Sequence, residues 1–151
     1  MRAIIIEKLY EMSKKPYQKY FKKNEPWDIT MTELINYKEG TLGFHLGCFL
    51  MKYNFEIQPK LEDHDIIHVL TNTGILVTDE IGMQYYLLGN GKKSSYLFMV
   101  IAIGTVFYPT RLKSFLNFYE RGKQSHQFYD LDFLKMLHQP ISKIQFTFNI
   151  Q

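Results

Sequence analysis

The stretch His64-Asp65-Ile66-Ile67-His68, followed after eleven further residues by Glu80, carries the side chains of this chain best suited to chemistry. On a helix each residue advances about 100°, so with His64 at the origin His68 falls near 40° and Asp65 near 100°. Three donors then share one arc, and the imidazoles stand one turn apart, as in other helical di-histidine metal sites. Ile66 and Ile67 point to the core and hold the helix in register. A short turn through Gly74 returns the chain, so that Glu80 lands in the first turn of the next helix and faces the same point. Two imidazoles with one or two carboxylates suit Zn²⁺ first, and also Fe²⁺ or Mn²⁺. Such a set leaves a coordination position for water or a substrate oxygen, and its lack of cysteine speaks against a purely structural zinc. The expected ligands are His64, Asp65, His68 and Glu80, with Asp65 and Glu80 as the candidate proton carriers. Spacing alone is equally compatible with a solvated or internally satisfied histidine pair.

The elements that must position these groups read as helices. Ile5, Leu9 and Met12 recur at helical spacing opposite Lys8, Glu11 and Lys15, which predicts a basic amphipathic helix over 1–23, interrupted at Pro16. Thr30 with Glu33 fits a capping box for a short helix to about Tyr37. Thr41 can cap the next, to about Tyr53, on which Gly43 and Gly47 leave a smooth strip for a close neighbour. Asp63 can cap the helix from His64 to Thr71, and Val77 or Thr78 opens one to Leu88. The segment from Ser94 to Phe107 is apolar nearly all round, which predicts a central buried helix. Leu112, Phe115, Leu116 and Tyr119 form the inner stripe of another, closed by Gly122, and Asp130 is expected to cap a last helix to His138. In the tail, 140–151, the alternation Ile144, Phe146, Phe148, Ile150 is strand-like but has no evident partner strand. The fold expected is one all-α, bundle-like domain of about seven or eight helices spanning 1–151, with no internal repeat.

Composition narrows the function classes. A chain of 151 residues with 46% hydrophobic and 22% charged residues can bury a core without staples. Its single cysteine, Cys48, excludes an internal disulfide and suits a reducing compartment. The net charge of +3 is uneven, with Arg2 to Lys23 strongly basic, which suits an anionic membrane surface better than specific nucleic-acid recognition. No aromatic–basic stripe or helix-turn-helix pattern supports a nucleic-acid partner. The longest apolar run, Tyr96 to Tyr108, would span roughly 20 Å as a helix, short of the roughly 30 Å of a bilayer core. A cytoplasmic location, peripheral to the inner face of the cell membrane, is the expectation. His126 and His138 offer no further ligands of the kind that His-Asp phosphohydrolases need.

The pattern HDxxH, eleven residues, then E resembles the motif of the ubiquinone-biosynthesis family named after the fourth Coq protein, matched at His64, Asp65, His68 and Glu80. Upstream, Glu39-Gly40-Thr41-Leu42-Gly43 followed by Phe49-Leu50 is similar to that family's EGTLG…FL segment, and Tyr85-Tyr86 before a glycine turn fits its aromatic helix. The resemblance runs from about Glu39 to about Leu116. Lys38 stands where a proline is usual and Asn72 where a glycine is usual, a departure for which Gly74 is expected to supply the turn. The resemblance implies a helical protein, often a homodimer, that associates with a membrane and with other quinone-biosynthesis proteins. It implies a metal-bound polar head and an apolar channel for a prenylated quinone precursor or another isoprenoid lipid. Phe44, Phe49, Met83, Tyr86, Leu87, Phe98, Met99 and Phe107 are the candidate walls, and Arg111 a candidate partner for a carboxylate or phosphate. Family members have been read both as catalysts that remove the head-group carboxyl and install a hydroxyl, and as non-catalytic scaffolds.

Overall fold

Three of the described helices start where a side chain, Thr30, Thr41 or Ser94, accepts from one of their first N–H groups. The computed structural model describes residues 25–151 and, before them, Ile4 alone. The expected helix over 1–23 therefore lies, Ile4 apart, outside the described residues. Thr30 and Glu33 form the capping box of α1 (Met31–Ile35): the Glu33 N–H donates to Thr30 Oγ1 at 3.2 Å and the Thr30 N–H to Glu33 Oε2 at 2.7 Å. Thr41 caps α2 (Leu42–Tyr53), and α1 lies against its Gly47, where a Cβ would sit 3.2 Å from Leu34 and Ile35 side-chain atoms. There follow α3 (Glu62–Thr71), α4 (Val77–Gly89), α5 (Ser95–Phe107), α6 (Leu112–Gln124) and α7 (Ile141–Phe148), with short 3₁₀ turns at Pro109–Arg111 and Phe133–Met136. Among the described residues the only β-type pairing is an isolated bridge between Thr41 and Pro140, so the domain is all-α as expected.

The core is built by α2, α3 and α4 with the loop that follows α6: Leu42, Leu46, Ile66, Leu70, Met83, Tyr86, Phe128 and Phe133 are all essentially buried. Met83, Tyr86 and Leu87, expected as channel walls, pack inside this core. Asn90, buried just after α4, ties the loop down. Its Oδ1 accepts from the Phe128 N–H at 3.0 Å and the Tyr129 N–H at 3.3 Å, and its Nδ2 donates to the His126 carbonyl at 3.0 Å. Asn90→Ala would leave buried donors without partners, and we expect a loss of about 3 kcal/mol. Urea unfolding checks this through a lower midpoint at unchanged slope.

Three expectations are corrected. First, α5 is not a central helix: only Leu97 and Gly104 are buried, while Phe98, Met99 and Val106 are 48%, 41% and 76% exposed. Just one stripe of α5 reaches α4, where Ile81 fills the space a Cβ on Gly104 would need. Second, Asp130 caps no α-helix; 128–139 is irregular apart from the Phe133–Met136 turn. The carbonyls of Leu137 and Gln139 are instead turned to the first N–H groups of α2, at Gly43 (2.8 Å) and Leu42 (2.9 Å), where a helix has no partners of its own. Third, the strand-like tail is helix α7. With no strand among the described residues to pair with, its backbone bonds internally, and Ile144 and Ile150 are buried while Phe146 stands 88% exposed.

Candidate metal centre

Helix α3 begins two residues earlier than expected, at Glu62, with Leu61 at its cap position and no side-chain cap. Glu62, Asp63 and Asp65 in its first turn complement the positive end of the helix instead. The buried Glu62 also accepts the Trp27 N–H at 3.0 Å, pinning the preceding chain. At the other end Asn72 itself, not Gly74, takes the left-handed conformation (φ 49°), one that asparagine tolerates. Gly74 serves differently: a Cβ there would meet the Asp79 side chain, whose Oδ2 accepts the Leu76 N–H at the start of α4.

This turn aims His68. The ring is 2% exposed, and its Nδ1–H donates to the Thr73 carbonyl at 3.2 Å, which turns Nε2, the nitrogen a cation would take, toward Glu80. Phe49 of α2 stacks on the same ring, with centroids 5.6 Å apart and planes 19° from parallel. His64, one turn earlier, lies edge-on to it at 4.8 Å between centroids. Glu80, in the first turn of α4, sits between the two imidazoles: Oε1 is 2.9 Å from His68 Nε2 and Oε2 is 3.2 Å from His64 Nε2. Ligand atoms of His64, His68 and Glu80 all lie within 4.8 Å of one another. Tetrahedral coordination at zinc–nitrogen distances of about 2.0–2.1 Å separates ligand atoms by about 3.3 Å, so only a small closure is needed to fit a cation of this size.

Asp65 takes a different place from the other three. Its Oδ1 is 3.5 Å from His64 Nδ1, the nitrogen that faces away from Glu80, and it is not part of the three-residue group. It is set to orient His64 from behind, as carboxylates do for metal-binding histidines. The Thr73 carbonyl plays the same part for His68. A main-chain oxygen has no sequence signature, and the sequence marks Phe49 as part of the FL segment and as a candidate channel wall, with nothing to tie its ring to His68. Among the other expected wall residues, Phe98 and Met99 face outward and Phe44 and Phe107 are half-buried, so the set does not line one channel. Arg111 lies exposed in the 3₁₀ turn before α6.

The electrostatics follow from this packing. Burial by itself would depress the His64 imidazole, but the Glu80 and Asp65 carboxylates outweigh it and push its pKa up to about 9. Burial likewise opposes ionisation of Glu80, yet the two histidines hold its carboxyl well below the usual range. Without metal, the raised His64 therefore stabilises the fold fully below about pH 6.5, and that contribution is lost as pH rises through about 9. The lowered Glu80 stabilises it above about pH 4.5, and that contribution is lost as pH falls. Thermal unfolding of metal-free protein should show this part of its stability greatest between those two values, with both limbs flattened in Glu80→Gln. A bound cation must displace the His64 proton, so metal affinity should rise with pH through the same upper limb.

No family model matches this sequence, and no curated protein matches it. A solved structure does: a protein from Nostoc punctiforme PCC 73102, provisionally assigned to ubiquinone biosynthesis, superposes with a TM-score of 0.69. The match covers 99% of this chain and 81% of that one, at 19% sequence identity. The two proteins share a fold.

Proposed function

We infer that this chain is a divalent-metal protein of quinone biosynthesis, which holds the polar head of a prenylated aromatic precursor at the His64–His68–Glu80 group beside a membrane. The observation that carries the reading is the convergence of two Nε2 atoms and one carboxylate from consecutive helices on a common point. The HDxxH-x₁₁-E resemblance and the fold shared with the Nostoc protein support it. A bound Zn²⁺, Fe²⁺ or Mn²⁺ would supply a Lewis acid for a head-group oxygen. Thr73 and Asp65 fix the two rings, and Asp65, held only by a 3.5 Å contact, is the carboxylate able to move a proton. Removal of the head-group carboxyl with hydroxylation of the ring is the reaction the resemblance points to. Elemental analysis of purified protein, then mass spectrometry of a prenylated hydroxybenzoate incubated with metal-loaded protein, tests it. A change in substrate mass supports the enzyme. Co-purified isoprenoid lipid that His64→Ala retains, with no turnover under any metal or oxygen condition, favours the scaffold reading. Homodimerisation and contacts with other quinone-biosynthesis proteins belong to the same proposal.

The peripheral membrane contact has a surface to match. No described helix is long and apolar enough to cross a bilayer. Yet Phe98, Met99 and Val106 stand exposed on α5, Leu112 and Leu116 on α6, and residues 91–119 contain four basic side chains and no acidic one. Apolar area flanked by cations is the composition of an interfacial helix. Val106→Asp with Phe98→Asp should cut sedimentation with anionic vesicles by about tenfold or more without lowering the unfolding temperature, since neither side chain is buried.

A further inference from the structure

His68 lies beside open space, yet it is 2% exposed. A cleft of about 430 Å³ between α2 and the α3–α4 turn has both His68 and Phe49 in its lining. There the Phe49 ring is stacked on the imidazole, with centroids 5.6 Å apart and planes 19° from parallel, the spacing of an offset stack. The Nδ1–H bond to the Thr73 carbonyl fixes one direction from the imidazole but leaves the ring free to tilt about it. A flat neighbour fixes the plane. One bond and one face together set where Nε2 points, 2.9 Å from Glu80 Oε1.

Phe49 is itself held in place. Tyr53, one turn further along α2, meets its ring at 5.1 Å and 68°, and Phe55 meets it at 6.3 Å and 68°. Phe55 reaches back because Asn54 ends α2 in the left-handed conformation (φ 54°), which lets the Phe55 N–H donate to the Leu50 carbonyl at 2.8 Å. Tyr53 and Phe55 then stack on each other at 5.7 Å. Three rings from the end of α2 thus back a single imidazole of α3.

We propose that Phe49 is a positioning residue of the metal centre: its ring holds the plane of His68 so that Nε2 meets the cation already aligned, while Tyr53 and Phe55 keep the Phe49 ring in place. The role of Phe49 is then toward the ligand, in place of the channel wall expected from the sequence. The effect on metal affinity rests on the function proposed above; the fixed ring plane stands without a metal.

Phe49→Leu keeps an apolar, helix-forming side chain and removes the flat face. Zinc affinity of the full-length protein, measured by competition with a chromophoric chelator, should fall about tenfold, the lower end of the loss when a group that orients a ligand is removed. Phe49→Tyr keeps the face and should stay within about twofold of the parent. Phe148→Leu alters another partly buried phenylalanine, one packed on Phe128, and should lower the unfolding temperature without changing zinc affinity. A second readout needs no metal. In metal-free protein the His68 ring-proton NMR signals, assigned through His68→Gln, should carry the ring-current shift of Phe49, lose it in Phe49→Leu and keep it in Phe49→Tyr. Unchanged zinc affinity in Phe49→Leu, an equal loss in Phe49→Tyr or Phe148→Leu, or His68 signals that do not move overturns the proposal. A parent that binds no zinc but shows the ring-current shift would sink the metal reading and leave the fixed imidazole. Zinc binding that Phe49→Leu leaves intact would do the reverse.

Discussion

Gly122→Ala should be among the most damaging single substitutions in this chain, lowering the unfolding temperature by roughly 10 °C or more. Gly122 sits in the last turns of α6 where that helix crosses α4. A Cβ there would strike the Tyr86 carbonyl oxygen, with the Tyr86 carbonyl carbon at 2.9 Å and the Asn90 nitrogen at 3.1 Å. Gly89 on the facing helix is in the reciprocal position, its Cβ site blocked by the Tyr119 carbonyl. Both obstacles are backbone, so no rotamer change relieves them; the helices must separate. Separation would also disturb Tyr86, whose hydroxyl hydrogen-bonds Ser125 Oγ at 2.6 Å, and Arg121, which lies over the Tyr86 and Phe118 rings and donates to the Gln151 carbonyl. Overpacking a core typically costs about 1–3 kcal/mol, and a clash with no soft partner belongs at or beyond the top of that range. Two comparisons make the prediction sharp. Gly82→Ala meets only the Phe118 ring, which can shift, and should cost less; Gly40→Ala meets nothing within 4 Å and should cost about 1 kcal/mol for its φ of +84°. Differential scanning calorimetry of the three variants gives the order, and Gly122→Ala ranking with Gly40→Ala would refute the helix-contact account.

Part of this architecture is legible in the residues and part is not, for identifiable reasons. The His64–His68 arc follows from helix geometry within one element, and Glu80 from a turn too short to carry the chain elsewhere. Gly43 and Gly47 announce close neighbours, which are Leu34 and Ile35 of α1 at Gly47 and the Tyr37 ring with the Leu137 carbonyl at Gly43. What fails depends on distant partners. The apolar composition of 94–107 says what α5 is made of, not that, among the described residues, only its Leu97 and Gly104 stripe is covered. The alternation in 144–150 matches a strand as well as a helix that leaves Phe146 in solvent, and the lack of a pairing strand among the described residues decides. Asp65 shows the same limit inside the site. A position about 60° round the helix from His68 satisfies the loose idea of a common arc, yet Glu80 arrives between the two imidazoles and takes the space, leaving Asp65 beside His64 Nδ1.

That arrangement predicts a graded loss of metal affinity rather than four equal losses. His68→Ala removes a donor whose ring is held on three sides: by Thr73 at Nδ1, by Phe49 on its face and by Glu80 at Nε2. Little orientational freedom remains for the ring to lose on binding, so His68 should contribute most, and its removal should weaken binding by more than about 100-fold. His64→Ala and Glu80→Ala should follow closely, since each deletes one of the three converging donors. Asp65→Ala should cost only about 10–100-fold, the usual effect of removing a carboxylate that orients a ligating histidine. It should also lower the pKa of His64, because one of the two carboxylates that raise it is gone. Competition with a chromophoric chelator measures all four affinities at one pH, and proton NMR of the His64 ring in metal-free protein measures the titration. If Asp65→Ala abolishes binding as completely as His64→Ala, the carboxylate must swing round to the metal, and the centre has four protein ligands. If affinity falls modestly while the His64 titration moves down, the ion is held by three groups and keeps a position open for substrate, which is what any chemistry at this site requires.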